Sequence, residues 1–543
     1  MAEPGVASSV TAEGSEEVVN KEVKKEKKEK QVNPKDAKKA ERLLARQMAA
    51  ASVKEAADPL AENYGDVELK ALQSAGQSGR VWTKVGLLDT SHDEQTVLIR
   101  GRAQTVRAKG SMAFILVREA GCTVQCVASV AENVISKQMI KYIGSINKES
   151  IIDVQGVVQI PREAITKSTQ QVEIQVRKVY CISKAMPVLP LNLEDAARSE
   201  VDFENAEKEG KQYVRVGQDT RLNNRVIDLR TPANQAIFRI QSNVCMLFRE
   251  YLVANDFIEI HTPKLLAGAS EGGASVFNLD YKGQNACLAQ SPQLHKQMGI
   301  TADFGRVFEI GPVFRAENSF THRHLCEFTG LDFEMEIKEH YFEVLDVIDG
   351  LFVYIFEGLT HQSKAALEAI NQQYPFEPLK YLEKTLRLTF EEGIQMLKEA
   401  GVEADPFGDL STEVERKLGQ LVKEKYDTDF YILHRYPLAV RPFYTMPAAD
   451  DPRYTNSFDV FIRGEEIISG AQRVHDPELL TKRATECGID VRSLTAYIDS
   501  FRYGVVPHGG IGVGLERVVM LFCALGNIRK TSMFPRDPQR LAP

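Results

Sequence analysis

Two clusters of side chains in the second half of the sequence have the types and spacing for phosphate chemistry. The first begins with Arg315 and Glu317 and continues through a polar loop to Arg323, His324 and Phe328. An antiparallel hairpin here would project alternate side chains onto one face. Arg315 could then bind phosphate with two parallel hydrogen bonds while the Phe328 ring stacks on a base. If the Arg-x-Glu spacing is considered in isolation, a surface ion pair would explain it equally well.

The second cluster is a glycine-rich run, residues 510–514, that leads through Leu515 and Glu516 to Arg517. Glycine lets a backbone approach a ligand closely, and Arg517 in the first turn of a following helix could clamp a terminal phosphate. A simple glycine-bearing entry to a helix is the alternative, but the arginine hairpin upstream makes it less favoured. The P-loop and Rossmann patterns of nucleotide-binding proteins are absent from the sequence.

The chain that positions these clusters has 543 residues, 43% apolar and 26% charged, which predicts two or three domains. Its longest apolar run, residues 518–525, is too short to cross a bilayer. The first twenty residues include acids but neither Lys nor Arg, unlike a secretory signal or a transit peptide. We therefore expect a cytosolic protein without a membrane span, and we interpret its eight scattered cysteines as reduced thiols.

Residues 1–80 differ in composition from the rest of the chain. They are polar and rich in Lys, Glu and Ala, and residues 21–46 carry eleven basic and five acidic side chains on a molecule of net charge −8. Such a segment buries too little apolar surface to offset the entropy of ordering it. We expect a largely disordered or helical extension, which is either a solvated tail or a basic arm that holds RNA through phosphate contacts.

Residues 81–185 contain five short runs of β-forming residues, with a helical pattern at 135–146 between the third and the fourth. This layout is typical of a Greek-key barrel of the OB type, which binds single-stranded nucleic acid. The five runs are 96–107, 112–118, 123–130, 151–160 and 171–182. A barrel with a purely structural role is the alternative.

An irregular, acidic stretch at 187–219 predicts a hinge over residues 186–225, followed by a region of mixed helices and strands from 226 to 543. A helix over 236–252 runs into a strand at 257–260, which Pro263 ends. Two strands, 307–314 and 328–337, flank the polar loop after Arg315. Helices are expected over much of 341–424, strands at 429–433 and 458–462, and a last helix at 515–525.

Three elements in this order resemble motifs 1, 2 and 3 of the class II aminoacyl-tRNA synthetases. They are the helix and strand that end at Pro263, the hairpin around Arg315, and the Gly-x-Gly-x-Gly-x-Glu-Arg run at 510–517. With an OB-like domain in front, the chain resembles the subgroup that charges aspartate, asparagine or lysine. Residues 270–274, 290–298 and 464–473 are similar to those of the cytosolic eukaryotic members that charge aspartate. The resemblance runs from residue 81 to the C-terminus, and Ile511 stands where many relatives have glycine.

The resemblance implies an α+β fold in which an OB-type β-barrel precedes a class II antiparallel β-sheet flanked by helices. It implies ATP bound in a bent form and a homodimer formed through the motif 1 helix and Pro263. The implied activity is activation of L-aspartate by ATP and transfer of aspartate to the 3′ end of tRNA(Asp). The substrate carboxylate then attacks the α-phosphorus, a step that depends chiefly on positioning and charge neutralisation.

Carried over residue by residue, the resemblance implies that Arg315 and Arg517 are catalytic. Arg315 would bind the substrate carboxylate and the α-phosphate, and Arg517 the γ-phosphate. The adenine would lie between Phe328 and Arg517, and Glu466 and Ser469 would hold Mg²⁺. The full set of expected ATP-binding residues is Arg315, Glu317, Arg323, His324, Leu325, Phe328, Glu466, Gly514, Leu515, Glu516 and Arg517.

The amino-acid and anticodon sites are expected from the same resemblance. The aspartate side chain needs cations, for which Lys296 and Arg473 are expected, although most lysines are solvated surface residues. In the barrel, Phe114 would stack on an anticodon base while Gln125 and Glu173 read base edges; a core position for Phe114 is the alternative. The full set of expected aspartate-binding residues is Glu271, Gln293, Lys296, Arg315, Asp332, Ser469 and Arg473.

Two other functions fit the same fold. An enzyme that charges asparagine should lack the two cations that suit a carboxylate. A catalytically silent RNA-binding scaffold should have lost Arg315, Glu466 or Arg517, and all three are present. The sequence leaves open whether tRNA(Asn) is also charged, whether the chain joins a multi-synthetase complex, and what the N-terminal extension contacts.

Overall fold

The computed structural model describes residues 58–74, 76–268 and 276–543. The chain divides into two compact units, one up to Pro190 and one from Leu191 to Pro543. The basic residues at 21–46 and the expected aspartate ligand Glu271 lie outside the described residues. Within the described residues, no helix has both the length and the apolar character needed to span a bilayer. All eight cysteines are described, and all are free thiols.

The first unit is a closed β-barrel. The sheet order is β1-β6-β4-β3-β2-β5, and pairing of β5 with β6 closes it. In β3, alternate side chains face the barrel core: Ala113, Ile115 and Val117 are fully buried, whereas Met112 and Phe114 are exposed. This alternation is expected of a strand with one face on a core. The elements are β1 (Tyr64–Asp66), α1 (Leu69–Leu72), β2 (Thr96–Lys109), β3 (Met112–Glu119), β4 (Cys122–Ser129), α2 (Lys137–Ser145), β5 (Ile151–Gln159) and β6 (Glu173–Ser183).

The predicted polar extension up to residue 80 includes a strand, β1, that belongs to the barrel. Residues 64–66 pair in parallel with the end of β6, with Tyr64 opposite Val179. The Tyr142 hydroxyl of α2 donates to Asp66 at 2.9 Å, and the Ser136 hydroxyl at the start of α2 donates to Asp58. A strand of three residues is too short to show an alternating pattern in the sequence, which is why it was assigned to the extension.

The stretch predicted to be an irregular hinge contains short helices and packs within the second unit. Helix α4 begins with a capping box, in which the Ser199 and Asp202 side chains bond to each other's backbone N–H. Arg225 is buried and donates to Asp228 at 2.6 Å. The helices are α3 (Leu193–Ala196), α4 (Glu200–Lys208), α5 (Gln218–Asn223) and α6 (Arg225–Asp228).

A mainly antiparallel sheet of eight strands forms the centre of the second unit, in the order β13-β14-β15-β16-β17-β12-β11-β7. Its end pairs, β13–β14 and β11–β7, are parallel. Strands β8, β10 and β9 form a separate small sheet. The strands are β7 (Ile258–Glu259), β8 (Leu265–Leu266), β9 (Asn278–Tyr281), β10 (Gln284–Leu288), β11 (Arg306–Phe314), β12 (Glu327–Glu336), β13 (Leu386–Thr389), β14 (Phe430–His434), β15 (Ser457–Ile462), β16 (Glu465–Gln472) and β17 (His508–Gly514).

Helices pack on this sheet through a large apolar core. The predicted apolar face of the long helix α7, including Ile240 and Val244, is fully buried in it. Phe352 and Phe356 of α9 contact Phe430 of β14 with ring centroids 5.6 and 5.1 Å apart. The helices are α7 (Pro232–Ala254), α8 (Gln293–Thr301), α9 (Phe342–Gln362), α10 (Lys364–Gln373), α11 (Phe390–Glu399), α12 (Thr412–Tyr426), α13 (Pro477–Glu486), α14 (Thr495–Arg502) and α15 (Leu515–Phe522).

The glycine-rich run is a strand, β17, that lies between β12 and β16 and leads directly into α15. A Cβ atom at Gly510 would overlap the Phe333 carbonyl oxygen and the Glu334 carboxylate of β12. A Cβ atom at Gly512 would lie 3.2 Å from a carboxylate oxygen of Asp332. The glycines therefore leave room for two acidic side chains of the neighbouring strand.

Candidate active site

A cavity of about 380 Å³ in the second unit brings the two charged clusters together. Its lining comes from β12, β16, β17, the loop between β11 and β12, and the first turn of α15. The predicted site residues that line it are Gln293, Arg315, Glu317, Arg323, His324, Leu325, Phe328, Asp332, Glu466, Ser469, Arg473, Gly514, Glu516 and Arg517. Side chains more than 200 residues apart in sequence therefore face one volume, as a substrate site requires.

Arg315 follows β11 at the mouth of the predicted hairpin. The strands are antiparallel with Val313 opposite Phe328, and the Arg315 N–H donates to the Cys326 carbonyl at 2.9 Å. The guanidinium carbon lies 5.5 Å from the Phe328 ring centroid, while the buried Nε has no hydrogen-bond partner. A buried donor left unpaired is costly, so an anion or other acceptor is expected to bind Arg315.

Arg315, Arg323 and Arg517 bring positive charge to one part of the cavity. Arg517 of α15 donates to the carbonyls of Glu466, at 2.9 Å, and Arg323, at 3.4 Å. Burial and the charges of Arg517, Arg323 and Arg315 lower the pKa of His324 to about 4, so this imidazole is neutral at pH 7. Converging positive charge of this kind suits a triphosphate.

The predicted metal ligands lie beside two residues that the sequence analysis missed. Glu466 is half-buried, and its burial together with the charge of Asp459 raises its pKa. Asp459 lies opposite Ser469 across the β15–β16 pair. Arg441 donates to both Asp459 oxygens, at 2.9 and 2.6 Å, and to the Ser469 hydroxyl at 3.0 Å. An acidic residue inside the apolar strand at 458–462 was the signal that could have identified Asp459.

These oxygens can be tested as ligands of a metal ion. A carboxyl group such as Glu466, which burial and a neighbouring carboxylate make costly to ionise, is stabilised by a nearby cation, and Mg²⁺ prefers oxygen ligands shared with phosphate and water. Within the described residues, no group of three or more His, Cys, Asp or Glu side chains could hold a metal ion. Glu466, Ser469 and Asp459 therefore fit an ion that a bound phosphate helps to coordinate.

The two cations expected for aspartate are buried among two carboxylates. Arg473 donates to Glu334 at 2.8 and 3.2 Å. Lys296 donates to Asp332 at 3.0 Å and to the Ile511 carbonyl at 2.6 Å, and lies 3.5 Å from Glu334. Lys296 is 1% exposed, so it is not a solvated lysine, but it lies behind the residues that line the cavity. A buried ammonium needs such partners, and the sequence analysis missed Glu334.

Other placements differ in detail from the predictions. Leu515 is buried in the apolar core and does not line the cavity. Gln293 begins α8, and its buried Nε2 has no hydrogen-bond partner. Four further lining residues were not predicted, which are Gln290, Ser291, Tyr444 and Thr445. Gln290 and Ser291 belong to the motif at 290–298, whereas Tyr444 and Thr445 had no distinctive spacing.

The three expected anticodon residues share one face of the barrel. Gln125 of β4 lies opposite Glu173 of β6 and donates to its carboxylate at 2.5 Å. Leu116 lies opposite Gln125, so Phe114, two residues along β3, points to the same side. Phe114 is 38% exposed, which excludes the alternative of a core residue. An exposed ring beside polar groups suits a base of single-stranded RNA.

Two family models match the chain, one for each unit. The model described as tRNA synthetases class II (D, K and N) matches residues 217–538, and the model of an OB-fold nucleic acid binding domain matches residues 97–182. The first match covers more than half of the chain. The chain therefore belongs to the class II tRNA synthetases of the D, K and N group.

Individual relatives place it among those specific for aspartate. Aspartate–tRNA ligase 2, cytoplasmic, of Arabidopsis thaliana is 64% identical over 498 residues, covering 90% of this chain and 89% of the relative. An aspartyl tRNA synthetase from Entamoeba histolytica superposes with a TM-score of 0.83 at 47% identity, covering 90% of this chain and 98% of the other. An asparaginyl-tRNA synthetase from Pyrococcus horikoshii, complexed with asparaginyl-adenylate, reaches 0.73 at 28% identity, covering 86% and 100%.

Proposed function

We infer that the protein is an aspartate–tRNA ligase of the cytoplasm. It activates L-aspartate with ATP to give aspartyl-adenylate and pyrophosphate, and then transfers aspartate to the 3′ end of tRNA(Asp). Two cytoplasmic aspartate–tRNA ligases align with 90% of the chain at 64% and 54% sequence identity, which supports this function. The observation that carries it is the single cavity lined by Arg315, Arg473 and Arg517. A silent scaffold is not favoured, because these side chains and Glu466 are all retained in that cavity.

The ATP end of the cavity acts by positioning and charge neutralisation. Arg315, whose Nε lacks a partner, binds the α-phosphate and the attacking carboxylate, which would otherwise repel each other. Arg517 binds the γ-phosphate and, with Phe328, encloses the adenine, while Glu317 and the backbone around His324 contact its edge. The negative charge that develops at the α-phosphorus is thus met by fixed cations, without a side-chain base.

Glu466 and Ser469 are the residues proposed to hold Mg²⁺, with Asp459 as a further carboxylate beside them. The ion, when bound, neutralises phosphate charge and orients the leaving pyrophosphate. Arg441 holds Asp459 and Ser469 in place through its three hydrogen bonds. The chain itself therefore fixes the positions of the oxygens before ATP binds.

Aspartate is proposed to bind against Arg473. The guanidinium uses Nε and Nη2 to hold Glu334, which leaves further N–H donors for the substrate side chain. Lys296 acts behind this layer by fixing Asp332. Asp332, with Gln293 and Glu271, supplies the polar groups proposed for the α-ammonium. Specificity thus rests on a guanidinium fixed in orientation before the substrate enters.

The barrel is proposed to read the anticodon of tRNA(Asp) through Phe114, Gln125 and Glu173. Their shared face and the exposure of the Phe114 ring support stacking on a splayed base. The hydrogen bond between Gln125 and Glu173 orients both polar groups before RNA binds. Base edges then meet a fixed pattern of donors and acceptors.

We propose a homodimer formed through α7 and the segment that ends at Pro263. In the single chain this region exposes several large apolar side chains, and clustered apolar exposure marks association surfaces. A twofold axis would pair the same patch of each subunit. The exposed side chains are Met246, Val253, Ile258 and Leu265.

ATP–pyrophosphate exchange with each amino acid in turn tests the proposed function. Exchange with aspartate is expected, with asparagine at least ~100-fold poorer, because the asparagine side chain is uncharged and its NH2 group cannot accept from the free donors of Arg473. Charging of purified tRNA(Asp) and tRNA(Asn) with radiolabelled aspartate tests the second step. Exchange with asparagine but not with aspartate would contradict the proposed specificity for aspartate.

A further inference from the structure

A second cavity, of about 320 Å³, lies in the second unit and shares no lining residue with the active-site cavity. Helices α4, α5 and α6, the C-terminal end of α10 and the segment after α15 contribute to its lining. The lining is rich in cations, which are Arg198, Arg215, Arg221, Arg225, Arg529 and Lys530. None of the roles proposed above uses them.

The carboxylates near this cavity do not balance its cations. Six cations and two carboxylates, Glu200 and Asp228, line it. Asp228 is shared, since Arg221 and Arg225 both donate to it, at 2.7 and 2.6 Å. Outside the lining, one acid pairs with Arg198 and one with Arg529; these are Asp195 and Asp537. Six cations therefore share four directly paired carboxylates, an excess of two before the more distant charges of Glu204 and Glu207 on Arg215 are counted.

Lys530 carries much of this excess. Its ammonium donates to the Leu525 carbonyl at 2.7 Å and lies 4.2 Å from the Tyr374 ring centroid. Within the described residues, no carboxylate lies within salt-bridge distance of it. Burial and the charge of Arg221 lower the pKa of Lys530 to about 8, so it stays mostly protonated at pH 7. A half-buried, charged ammonium without an anion favours an anionic ligand.

Two unpaired atoms indicate what else the ligand carries. Arg529 and Gln373 both line the cavity and are more than nine-tenths buried. Arg529 Nη2 has no hydrogen-bond partner, although Nε and Nη1 donate to Asp537 and to the Thr321 carbonyl outside the lining; Gln373 Oε1 has none and is an acceptor. Gln373 Nε2 donates to the Ala196 carbonyl and the Tyr374 hydroxyl, which fixes Oε1 as the free atom. The ligand should therefore combine an anion with a hydroxyl donor.

We propose that this cavity binds a phosphate of an RNA backbone, with Lys530, Arg221 and Arg529 on the phosphate and Gln373 on the adjacent ribose 2′-hydroxyl. RNA supplies both groups in one repeating unit. A free phosphate matches the cations but leaves the function of the Gln373 acceptor unexplained. The identity of the RNA as tRNA rests on the proposed function.

The cavity is linked to the active site through the segment 528–530. Ile528 lines the active-site cavity, whereas the next two residues line the basic one. Arg529 donates to the carbonyl of Thr321 at 2.8 Å, and the Ile528 N–H donates to the His322 carbonyl at 2.8 Å. These carbonyls belong to the loop between β11 and β12 that carries the ATP-binding residues. A phosphate on Arg529 would therefore contact the support of that loop.

The test compares Lys530→Gln and Arg221→Gln with the wild-type chain and with Lys482→Gln, a control on the exposed face of α13. Each variant is checked for folding by ATP–pyrophosphate exchange, which should stay within about twofold. We expect tRNA(Asp) to bind about 10-fold more weakly to either cavity variant, and the slope of log Kd against log salt to fall by about one. Lys530→Arg should restore binding, and the control should match wild type.

A second arm separates RNA from free phosphate by following the Tm in inorganic phosphate, with chloride at equal ionic strength. Unchanged tRNA affinity and salt slope in both cavity variants would overturn the proposal. A Tm that phosphate raises in wild type but not in Lys530→Gln, together with unchanged tRNA binding, would overturn the RNA assignment in favour of a free anion. Failure of wild-type exchange with aspartate would instead remove the proposed function and leave the tRNA binding result standing.

Discussion

At the scale of single residues, Arg315 and Arg517 are the side chains whose loss should stop adenylate formation. Each contributes a half-buried cation to the ATP cavity. We expect Arg315→Ala and Arg517→Ala each to lower the rate of ATP–pyrophosphate exchange by at least ~1000-fold, the effect of losing several kcal/mol of transition-state stabilisation. Arg492→Ala, on the surface, is the control. Normal exchange by a folded Arg315→Ala variant would refute its role.

Arg473 should decide whether aspartate is activated at all. Arg473→Leu removes the cation for the substrate and leaves Glu334 with Lys296 at 3.5 Å as its remaining cation. Breaking a buried pair costs roughly 3 kcal/mol, so kcat/KM for aspartate should fall at least ~100-fold. Asparagine should not become a good substrate, because Lys296 and Asp332 are unchanged. If the folded variant keeps its wild-type preference for aspartate, the side chain is recognised elsewhere.

Glu516 should make stability depend on pH. Burial raises the pKa of this carboxyl to about 7, although the Thr329 N–H donates to it. Between pH 5 and 7 the folded state therefore binds more protons here than the unfolded state, so this group lowers stability as pH rises. Glu516→Gln removes that loss, and we expect urea unfolding to show the variant gaining on the order of 2 kcal/mol relative to wild type between pH 5 and 8. Parallel pH profiles would contradict the shift.

At the scale of elements, β1 should separate two truncations of similar length. Deleting residues 1–57 keeps β1, whereas deleting 1–75 removes it together with Asp58 and the Tyr142–Asp66 hydrogen bond. We expect the longer deletion to lower the Tm of the barrel by at least ~5 °C, since a few hydrogen bonds worth about 1 kcal/mol each are lost. The shorter deletion should leave the Tm unchanged. Equal values for both would mean that β1 adds no stability.

Elements with one continuous apolar face could be predicted from the sequence. Short elements that are stabilised by contacts with distant segments could not. The five barrel strands and α7 were found because alternating or helical apolar patterns continue through them. Strand β1 and the helices α3 to α6 were missed because each is short and is stabilised by partners distant in sequence, as Arg225 is by the Ser532 and Met533 carbonyls.

The candidate site shows the same division. Motif residues such as Arg315 and Arg517 could be predicted because their chemistry and spacing are local. Glu334 could not, because its importance arises from Arg473, more than 100 residues away, and Asp459 was marked only by its place inside an apolar strand. The partners lie in other segments of the chain, and the spacing within one motif does not indicate them.

At the scale of the whole molecule, the basic residues at 21–46 should act on tRNA and not on amino-acid activation. We expect deletion of residues 1–57 to raise the KM for tRNA(Asp) about 10-fold and to flatten the salt dependence of binding, because fewer counterions are released. Pyrophosphate exchange should not change. A full-length variant with the lysines of 21–30 replaced by glutamine should behave like the deletion. The segment is a solvated tail if KM and salt slope both stay at wild-type values.

The glycines of β17 also bear on which mutations the chain can tolerate. Gly510 and Gly512 have no side chain, yet the space beside them is filled by the Glu334 and Asp332 carboxylates. An alanine at Gly510 would have to displace the Glu334 carboxylate, which orients Arg473. This small substitution would therefore disable substrate recognition although it replaces no charged residue. In a survey of random variants, Gly510 should therefore be as intolerant of replacement as Arg473. A position without functional atoms would then be as invariant as a catalytic one.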